Sequence, residues 1–503
     1  GRAHYTTRIR CGGNIRLSFG GVSFRARVLL DGNEIARHYG AFTAFETVVR
    51  HLPDGEHTLN VEGDNRFGED SALHVPNDYY SYGGITRPVV IEQLPDVFVE
   101  RVGITTKRAA DGWTADISAN IRNLADEDAS ADVTLTLAGQ TFTQTTHIPA
   151  DSTAIIRIPD AHYADVTAWT PDTPALYALR AEIREGNQGL DDLIDRVGFR
   201  EISISGMDLL LNGEKLRLMG FNRHEEYGAF GCAVPLQAMA QDILMMKDMG
   251  CNCVRTCHYP NAPRFLDLCD EMGLLVWEEA HARGLQEEQM RNPNFMPQTR
   301  QCVREMVAQH RNHPSIFIWG CLNECADNCD YGADCYREVY ALLHDLDASR
   351  PMTAALLERP GSLVYGDSDV VSVNIYPQWY HNTPVAESLA QKLKEIREHG
   401  GAGKPVIISE IGAGGIYGYH DPLGESKWSE ERQCTILRDQ VEAVLKNPAC
   451  SGVFLWQFAD CRVTEEWAMH RPKTHNNKGV VDEYRRPKMS YAVVKELFQK
   501  QKG

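Results

Sequence analysis

Residues 315–324, SIFIWGCLNE, form an apolar run that ends in an amide and an acid. Similar runs recur from about residue 206 onward, namely LRLMGFN (216–222), CNCVRTCHY (251–259), LLVWEE (274–279), PMTAALL (351–357), VVSVNIY (370–376), PVIISE (405–410) and GVFLWQF (452–458). Segments of helical periodicity separate most of them, at 236–249, 264–272, 298–309, 338–346 and 430–445. Apolar runs without polar alternation are typical of parallel strands buried on both faces. Eight such strands alternating with helices predict a (β/α)8, or TIM, barrel over residues 206–503.

Two β-sandwiches are predicted upstream of the barrel. Residues 1–96 contain short runs of alternating polarity, such as RARVLL (25–30), and the following Asp31-Gly32 pair is a hairpin signal. Residues 97–205 continue in this style with ADISANIRN (115–123) and ADVTLTLAG (131–139), which predicts an immunoglobulin-like sandwich. A length of 503 residues is consistent with these three domains.

The composition excludes several classes of function. The chain has 51 basic and 69 acidic residues, a net charge of −18, so we expect no binding to nucleic acid or to anionic membranes. No window approaches the ~18 consecutive apolar residues of a membrane span. The 14 cysteines, several within apolar runs, are typical of reduced, buried thiols and favour a cytoplasmic protein. Because the chain opens in strand-like sequence, we expect residues upstream of it, and the question of a signal peptide stays open.

Polar and aromatic side chains collect where the predicted barrel strands end. They are Asn222, Arg223, His224, His258, Glu278, Glu279, Asn323, Glu324, Asn374, Tyr376, Glu410 and Trp456. The active sites of TIM barrels lie at this C-terminal face. Glu324 and Glu410 each close an apolar run, and two carboxyls across a barrel mouth are the pair that glycoside hydrolysis needs. One protonates the leaving oxygen while the other attacks the anomeric carbon, and a retaining enzyme holds them about 5–5.5 Å apart.

Five segments resemble glycoside hydrolase family 2. They are GFNRHEEYG (220–228), NCVRTCHYPNAPRFLDLCDEMGLLVW (252–277), RNHPSIFIWGCLNE (311–324), ISEIG (408–412) and LWQFAD (455–460), in the family's order. The resemblance implies a sugar-binding jelly roll, an immunoglobulin-like sandwich and a catalytic barrel, and so it covers the whole chain. The first domain is shorter than that jelly roll, so we expect the opening strands of the jelly roll to be absent from this chain.

The resemblance also implies roles for individual residues. Glu324 would be the acid/base and Glu410 the nucleophile of a retaining double displacement, with Asn323 on the sugar 2-hydroxyl and Tyr376 steadying the nucleophile. The glycone pocket would be lined by Arg223, His224, His258, Glu279, Asn374 and Trp456. The family implies neither an organic cofactor nor a metal, and a homo-oligomer, dimer or tetramer, is expected.

Two further segments resemble the β-glucuronidase branch of this family. HNNKGVVDEYRRPK (475–488) contains the branch's Asn-x-Lys motif as Asn476-Asn477-Lys478, and an amide with an ammonium can hold a uronate carboxylate. Arg471 lies just upstream and would add positive charge. In NDYYSYGGITRPV (77–89), Asp78 resembles an aspartate that reaches into the barrel. The expected substrates are therefore terminal β-D-glucuronides or other small saccharide conjugates.

Several alternatives stay open at this point. Residues 461–475 differ from the branch pattern, so β-galacturonides and β-galactosides remain candidate substrates. Only residues 280–314 separate the third and fourth predicted barrel strands, and this short connection predicts an open pocket for larger aglycones. A non-catalytic carbohydrate-binding protein is disfavoured because both carboxylates are present. An iron–sulfur protein is disfavoured because the spacing of Cys321, Cys325, Cys329 and Cys335 misses the known patterns.

Overall fold

The computed structural model describes residues 1–186, 188–424 and 426–501. Its first part is an antiparallel sheet in the order β4-β3-β5-β1-β7, with β2 and β6 paired separately. The strands are β1 (Arg2–Phe19), β2 (Val22–Ser23), β3 (Arg25–Leu30), β4 (Asn33–Tyr39), β5 (Phe45–Asp64), β6 (Gly84–Ile85) and β7 (Val89–Leu94). The predicted hairpin is present, because Asp31 and Gly32, with φ of 49° and 82°, form the tight turn between β3 and β4.

The second part is a sandwich of two antiparallel sheets, in the orders β11-β10-β13-β14 and β12-β9-β8. Its strands are β8 (Val97–Ala109), β9 (Gly112–Asn123), β10 (Ala129–Leu137), β11 (Gln140–Ile148), β12 (Thr153–Tyr163), β13 (Tyr177–Glu185) and β14 (Gln188–Val197). Alternate residues point inward, and both sheets contribute to a core that contains Trp113, Ile117, Leu135 and Leu179. A small sheet of β15 (Ile202–Ser205), β16 (Asp208–Leu211) and β17 (Glu214–Leu216) leads into the barrel.

A closed parallel barrel of eight strands forms the third part of the described chain. The strands are β18 (Leu218–Asn222), β19 (Cys253–Thr256), β20 (Leu275–Glu279), β21 (Ile316–Cys321), β22 (Met352–Leu356), β23 (Val371–Asn374), β24 (Val406–Ile411) and β25 (Cys450–Leu455). Each lies within or overlaps one of the eight apolar runs, so the TIM-barrel prediction is confirmed. Most of their residues are fully buried, because the strands are covered by side chains inside and helices outside.

The helices cover the outside of the barrel and extend its C-terminal face. They are α1 (Leu236–Asp248), α2 (Pro263–Met272), α3 (Glu287–Met290), α4 (Phe295–His310), α5 (Asp330–Leu346), α6 (Val385–Ile396), α7 (Glu430–Lys446), α8 (Glu465–Ala468) and α9 (Met489–Gln499), with a short pair of strands, β26 (Cys461–Arg462) and β27 (His475–Asn476). Helix α5 begins eight residues before its predicted start, because those residues, DYGADCYR, contain no Leu, Ile, Val, Met or Phe to mark the helical period. The Cys329 side chain caps the helix by accepting a hydrogen bond from the Gly332 amide. In the described part of the chain, no helix combines the length and apolarity that crossing a membrane requires.

The connection between β5 and β6, residues 65–83, carries part of the first domain over the barrel mouth. Asn77 Oδ1 accepts a 2.7 Å hydrogen bond from Arg283, and the Asn77 carbonyl accepts a 2.8 Å bond from the Thr464 hydroxyl. Beside it, Arg87 and Glu225 form a buried ion pair at 2.6 Å. These contacts fix the neighbouring Asp78 at the C-terminal face of the barrel.

Candidate active site

Arg255 organises the floor of the barrel mouth from the middle of β19, where it is fully buried. Its guanidinium donates to Glu279 (two bonds of 2.8 Å), Glu410 (2.8 Å), Asn323 (2.7 Å) and Asn222 (2.8 Å). A buried arginine is costly unless such partners satisfy it, so Arg255 and its partners form one rigid network. Arg255 is not among the residues predicted from the sequence, although a charge inside the apolar run CNCVRTCHY was an available signal.

Glu410, at the end of β24, is held by two donors. Its Oε1 accepts from Arg255, and its Oε2 accepts a 2.7 Å hydrogen bond from the Tyr376 hydroxyl. Burial, followed by the charge of Glu324, raises the pKa of Glu410 to about 7, whereas Arg255 and Tyr376 act to lower it. The two donors fix the orientation of the carboxylate and stabilise its charge, as a nucleophile requires.

Glu324 follows β21 in a left-handed backbone conformation, with φ of 52°. This conformation is uncommon for a residue other than glycine and is held by a 2.8 Å hydrogen bond from its amide to the Ala355 carbonyl. Its Oε1 accepts a 2.9 Å bond from the Asn374 side chain, and its Oε2 lies 3.4 Å from a guanidinium nitrogen of Arg283. The unusual turn therefore presents the carboxyl to the barrel mouth beside two donors.

Asn323 lies next to Glu324 in the chain and is fully buried. Its Oδ1 accepts from Arg255, which fixes the orientation of the amide. Its Nδ2 has no hydrogen-bond partner among the described residues, so this buried donor remains available to a hydroxyl of a bound sugar.

A cluster of charges surrounds Asp78 at one side of the mouth. Asp78 Oδ2 accepts from Arg471 (3.2 Å) and Asn476 (3.1 Å), Arg283 lies 3.3 Å from Asp78 Oδ1, and Lys478 donates to Asn476 (3.4 Å). Burial acts to raise the pKa of Asp78, but the three neighbouring cations outweigh it and hold that pKa well below its usual range. One carboxylate thus faces three cations, and the cluster has an excess of positive charge.

A cavity of about 580 Å³ joins the two carboxyls to this cluster. Of the residues named from the sequence, it is lined by Asp78, Glu324, Asn374, Tyr376, Glu410, Trp456, Arg471 and Lys478. The rest of the lining was not predicted from the sequence and consists of Arg283, Leu357, Glu358, Tyr380, His381 and Trp467. Most of these lie in loops after strand ends, where a conformation cannot be inferred from periodicity.

The structure places four predicted pocket residues behind or beside the cavity lining. Arg223 points outward from the end of β18 and forms an ion pair with Asp242 of α1 at 2.9 Å. Glu279 lies beneath the floor on Arg255. The His258 ring stacks on Trp456 at 5.0 Å and the His224 ring packs edge-on against it at 5.4 Å.

The two histidines are neutral side chains with free ring nitrogens. Burial lowers the pKa of His224 to about 3 and that of His258 well below its usual value. In the described structure, Nε2 of each ring has no hydrogen-bond partner. Neither ring therefore adds charge to the site, and both contact the cavity through Trp456, which lines it.

Two groups of side chains have the composition of a metal site, His224 with Cys257 and His258, and Asp267 with Asp270 and His313. In the second group the Asp270 carboxylate lies 2.6 Å from His313 and, against the effect of burial, raises the pKa of His313 to about 9, so an ion pair accounts for the contact. The four cysteines at 321–335 form no such group among the described residues, and all 14 cysteines are free thiols. We assign no metal to either group.

The fold agrees with the comparison to known families. Residues 202–502 match the family described as "Glycosyl hydrolases family 2, TIM barrel domain", and residues 97–200 match "Glycosyl hydrolases family 2". The chain belongs to glycosyl hydrolase family 2.

Relatives within the family have several specificities. A putative β-glucuronidase of Formosa agariphila is 28% identical over 97% of this chain, which spans only 62% of that relative's length. A β-glucuronidase of Streptococcus agalactiae is 28% identical over 96% of this chain and 84% of its own length. The crystal structure of a β-galacturonidase from Eisenbergiella tayi bound to galacturonate is 47% identical, with a TM-score of 0.97 over 99% of this chain and 90% of that one.

Proposed function

We propose that the chain is a retaining exo-hydrolase of β-D-hexuronides and that it prefers galacturonides to glucuronides. The observation that supports a uronide substrate is the group of three cations, Arg283, Arg471 and Lys478, lining the cavity that contains Glu324 and Glu410. Four carboxyl groups line the same cavity. Among the described residues, however, the Lys478 ammonium pairs with none of them and makes one hydrogen bond, to Asn476, so a neutral sugar would leave its charge uncompensated in a largely buried site. A hexuronide carboxylate compensates it through charge-assisted hydrogen bonds.

In the first step of the proposed reaction, a carboxylate oxygen of Glu410 attacks the anomeric carbon and forms a glycosyl ester. The bond to the leaving oxygen breaks, and that oxygen takes the proton of Glu324. Arg255 and Tyr376 hold Glu410 in position, while the free Nδ2 of Asn323 donates to the 2-hydroxyl as positive charge develops on the sugar ring.

In the second step, the ionised Glu324 accepts a proton from water while the water oxygen attacks the anomeric carbon. The ester bond breaks, Glu410 leaves as a carboxylate, and the released uronic acid keeps the β configuration. Asn374 and Arg283 contact Glu324 in the structure and would stabilise its charged form between the two steps.

The preference for galacturonides is supported by similarity. The galacturonate-bound relative is 47% identical, whereas a β-D-glucuronidase of Dictyoglomus thermophilum is 26% identical with a TM-score of 0.85. Glucuronides were the first expectation from the sequence and are the second candidate, because curated β-glucuronidases match almost the whole chain.

A side-by-side assay tests the proposal. We expect kcat/KM to decrease in the order aryl β-D-galacturonide, β-D-glucuronide, β-D-galactoside, and proton NMR to show the β anomer as the first product. Faster hydrolysis of the galactoside would refute a uronide substrate, and faster hydrolysis of the glucuronide would refute only the preference. An initial α anomer would refute retention.

A further inference from the structure

We propose that Lys488 and Asp460 are positioning residues that hold Lys478 in place for the substrate carboxylate. They form a buried ion pair at 2.8 Å, and neither lines the cavity. The inference rests on the proposed function, in which Lys478 is a partner of the uronate.

The Lys488 side chain, fully buried just before α9, has a partner for each of its three ammonium hydrogens. It donates to the carbonyls of Gly415 (2.6 Å) and Asn477 (3.3 Å) and to Oδ1 of Asp460 (2.8 Å). These acceptors belong to the loop after β24, the segment that carries Lys478 and the loop after β25. One ammonium group therefore forms hydrogen bonds with three separate segments at the mouth of the barrel.

Asp460 completes the attachment on the other side of Lys478. The same Oδ1 accepts a 2.8 Å hydrogen bond from the amide of Gly479. The ion pair thus holds the peptide groups of both neighbours of Lys478, the carbonyl of Asn477 and the amide of Gly479. The packing is close, because a Cβ at Gly479 would lie 2.4 Å from the Asp460 nitrogen and from the Val481 carbonyl oxygen.

The Lys478 side chain has little direct support of its own. In the part of the chain that the structure describes, its ammonium makes one hydrogen bond, 3.4 Å long, to Asn476. The rings of Tyr376, Trp379 and Tyr380 lie 5.4–6.0 Å away and stabilise the charge without fixing its position. A lysine has a flexible stem with four carbons, so the location of its charge depends on how firmly its backbone is held.

The test compares Lys488→Met and Asp460→Asn with Lys495→Met. Lys495 is a partly exposed lysine of α9, paired with Asp248 at 2.7 Å, and its replacement serves as a matched loss of a lysine–aspartate ion pair close by in the chain. Each variant is assayed on aryl β-galacturonide and aryl β-galactoside below its unfolding temperature, and galacturonate binding is measured by calorimetry.

We expect Lys488→Met and Asp460→Asn to lower kcat/KM for the galacturonide by about tenfold or more, mainly through KM, and to weaken galacturonate binding to a similar extent. The galactoside rate should change by less than about twofold, and Lys495→Met should change neither. In a Lys478→Met background, Lys488→Met should leave the ratio of the two rates unchanged.

An equal fall on both substrates would show that the ion pair is merely structural and would overturn the inference. If Lys488→Met does not fold, Asp460→Asn decides, because asparagine keeps the shape and the acceptor oxygen and removes only the charge. If Lys478→Met leaves the ratio of uronide to galactoside rates unchanged, the proposed function fails and this inference fails with it.

Discussion

The Tyr376 hydroxyl donates a 2.7 Å hydrogen bond to Oε2 of Glu410, and the same tyrosine ring lies 6.0 Å from the Lys478 ammonium. One side chain therefore lies between Glu410, the proposed nucleophile, and Lys478, the proposed partner of the uronate carboxylate. In the proposed reaction this arrangement would couple the position of the Glu410 carboxylate to the part of the site that holds the sugar.

Replacing Tyr376 by Phe removes one of the two donors to Glu410. We expect kcat to fall by about 10²-fold, as for the loss of one donor to a charged group in an active site. The fold should be retained, because the ring is kept. Steady-state kinetics together with thermal unfolding checks this, and a rate within twofold of the wild type would contradict the role given to the hydroxyl.

The two carboxyls should respond differently to an added nucleophile. Glu410→Ala should lose at least about 10⁴-fold in kcat, and azide should restore turnover by attacking the sugar directly to give the α-glycosyl azide. Glu324→Ala should retain the first step on an aryl substrate with a good leaving group, and azide should then give the β-glycosyl azide. Identification of the azides by NMR checks both roles, and the opposite assignment of products would exchange them.

Replacing Lys478 by Met should change selectivity more than catalysis. We expect kcat/KM for the galacturonide to fall by about 10²-fold or more, since a charge-assisted bond to the substrate is lost. The value for the galactoside should stay level or rise, because an unpaired buried charge is removed. Parallel assays of the two substrates check this, with thermal unfolding of the variant as the control for its fold, and equal losses on both substrates by a folded variant would contradict the role given to Lys478.

The pH dependence of kcat/KM should show an acidic limb near pH 7. Glu410 must be ionised to attack, its pKa is about 7 in the free protein, and the carboxylate of the substrate is already ionised there. In the Tyr376→Phe variant this limb should move to higher pH, because the hydroxyl acts to lower the pKa of Glu410. A profile that is flat from pH 5 to 8 would contradict this assignment.

Stability should vary with pH through the same group. Folding raises the pKa of Glu410 from its ordinary value of 4.5 to about 7, so the native state binds more protons than the unfolded state between these values. The contribution of the Glu410 carboxyl to the free energy of unfolding is full below about pH 4.5 and is lost as the pH rises through about 7. We expect Glu410→Gln to unfold less readily than the wild type at pH 8, by on the order of 2 kcal/mol, with a smaller difference at pH 5. Denaturant titrations at the two pH values check this.

The barrel and the two carboxyls at its mouth could be predicted because their signals are local. An apolar run such as SIFIWGCLNE is buried wherever it folds, and the residue that ends it lies at the C-terminal face of the barrel. Arg223 shows where this reasoning stops, because a residue at a strand end can point into the mouth or, as here, outward to a helix. A change of one position in the pleat moves the side chain from one face to the other.

The apolar runs were sufficient for eight strands and for Glu324 and Glu410 at the barrel mouth, and the family resemblance added Lys478 and Asp78, which line the same cavity. Only the folded chain showed that Arg255 donates to Glu410, that Arg283 lies between Asp78 and Glu324, and that Lys488 and Asp460 hold both neighbours of Lys478. The physical reason is that burial and periodicity follow from neighbours in sequence. Ion pairs between loops depend on the closure of the barrel, which brings together residues far apart in the chain.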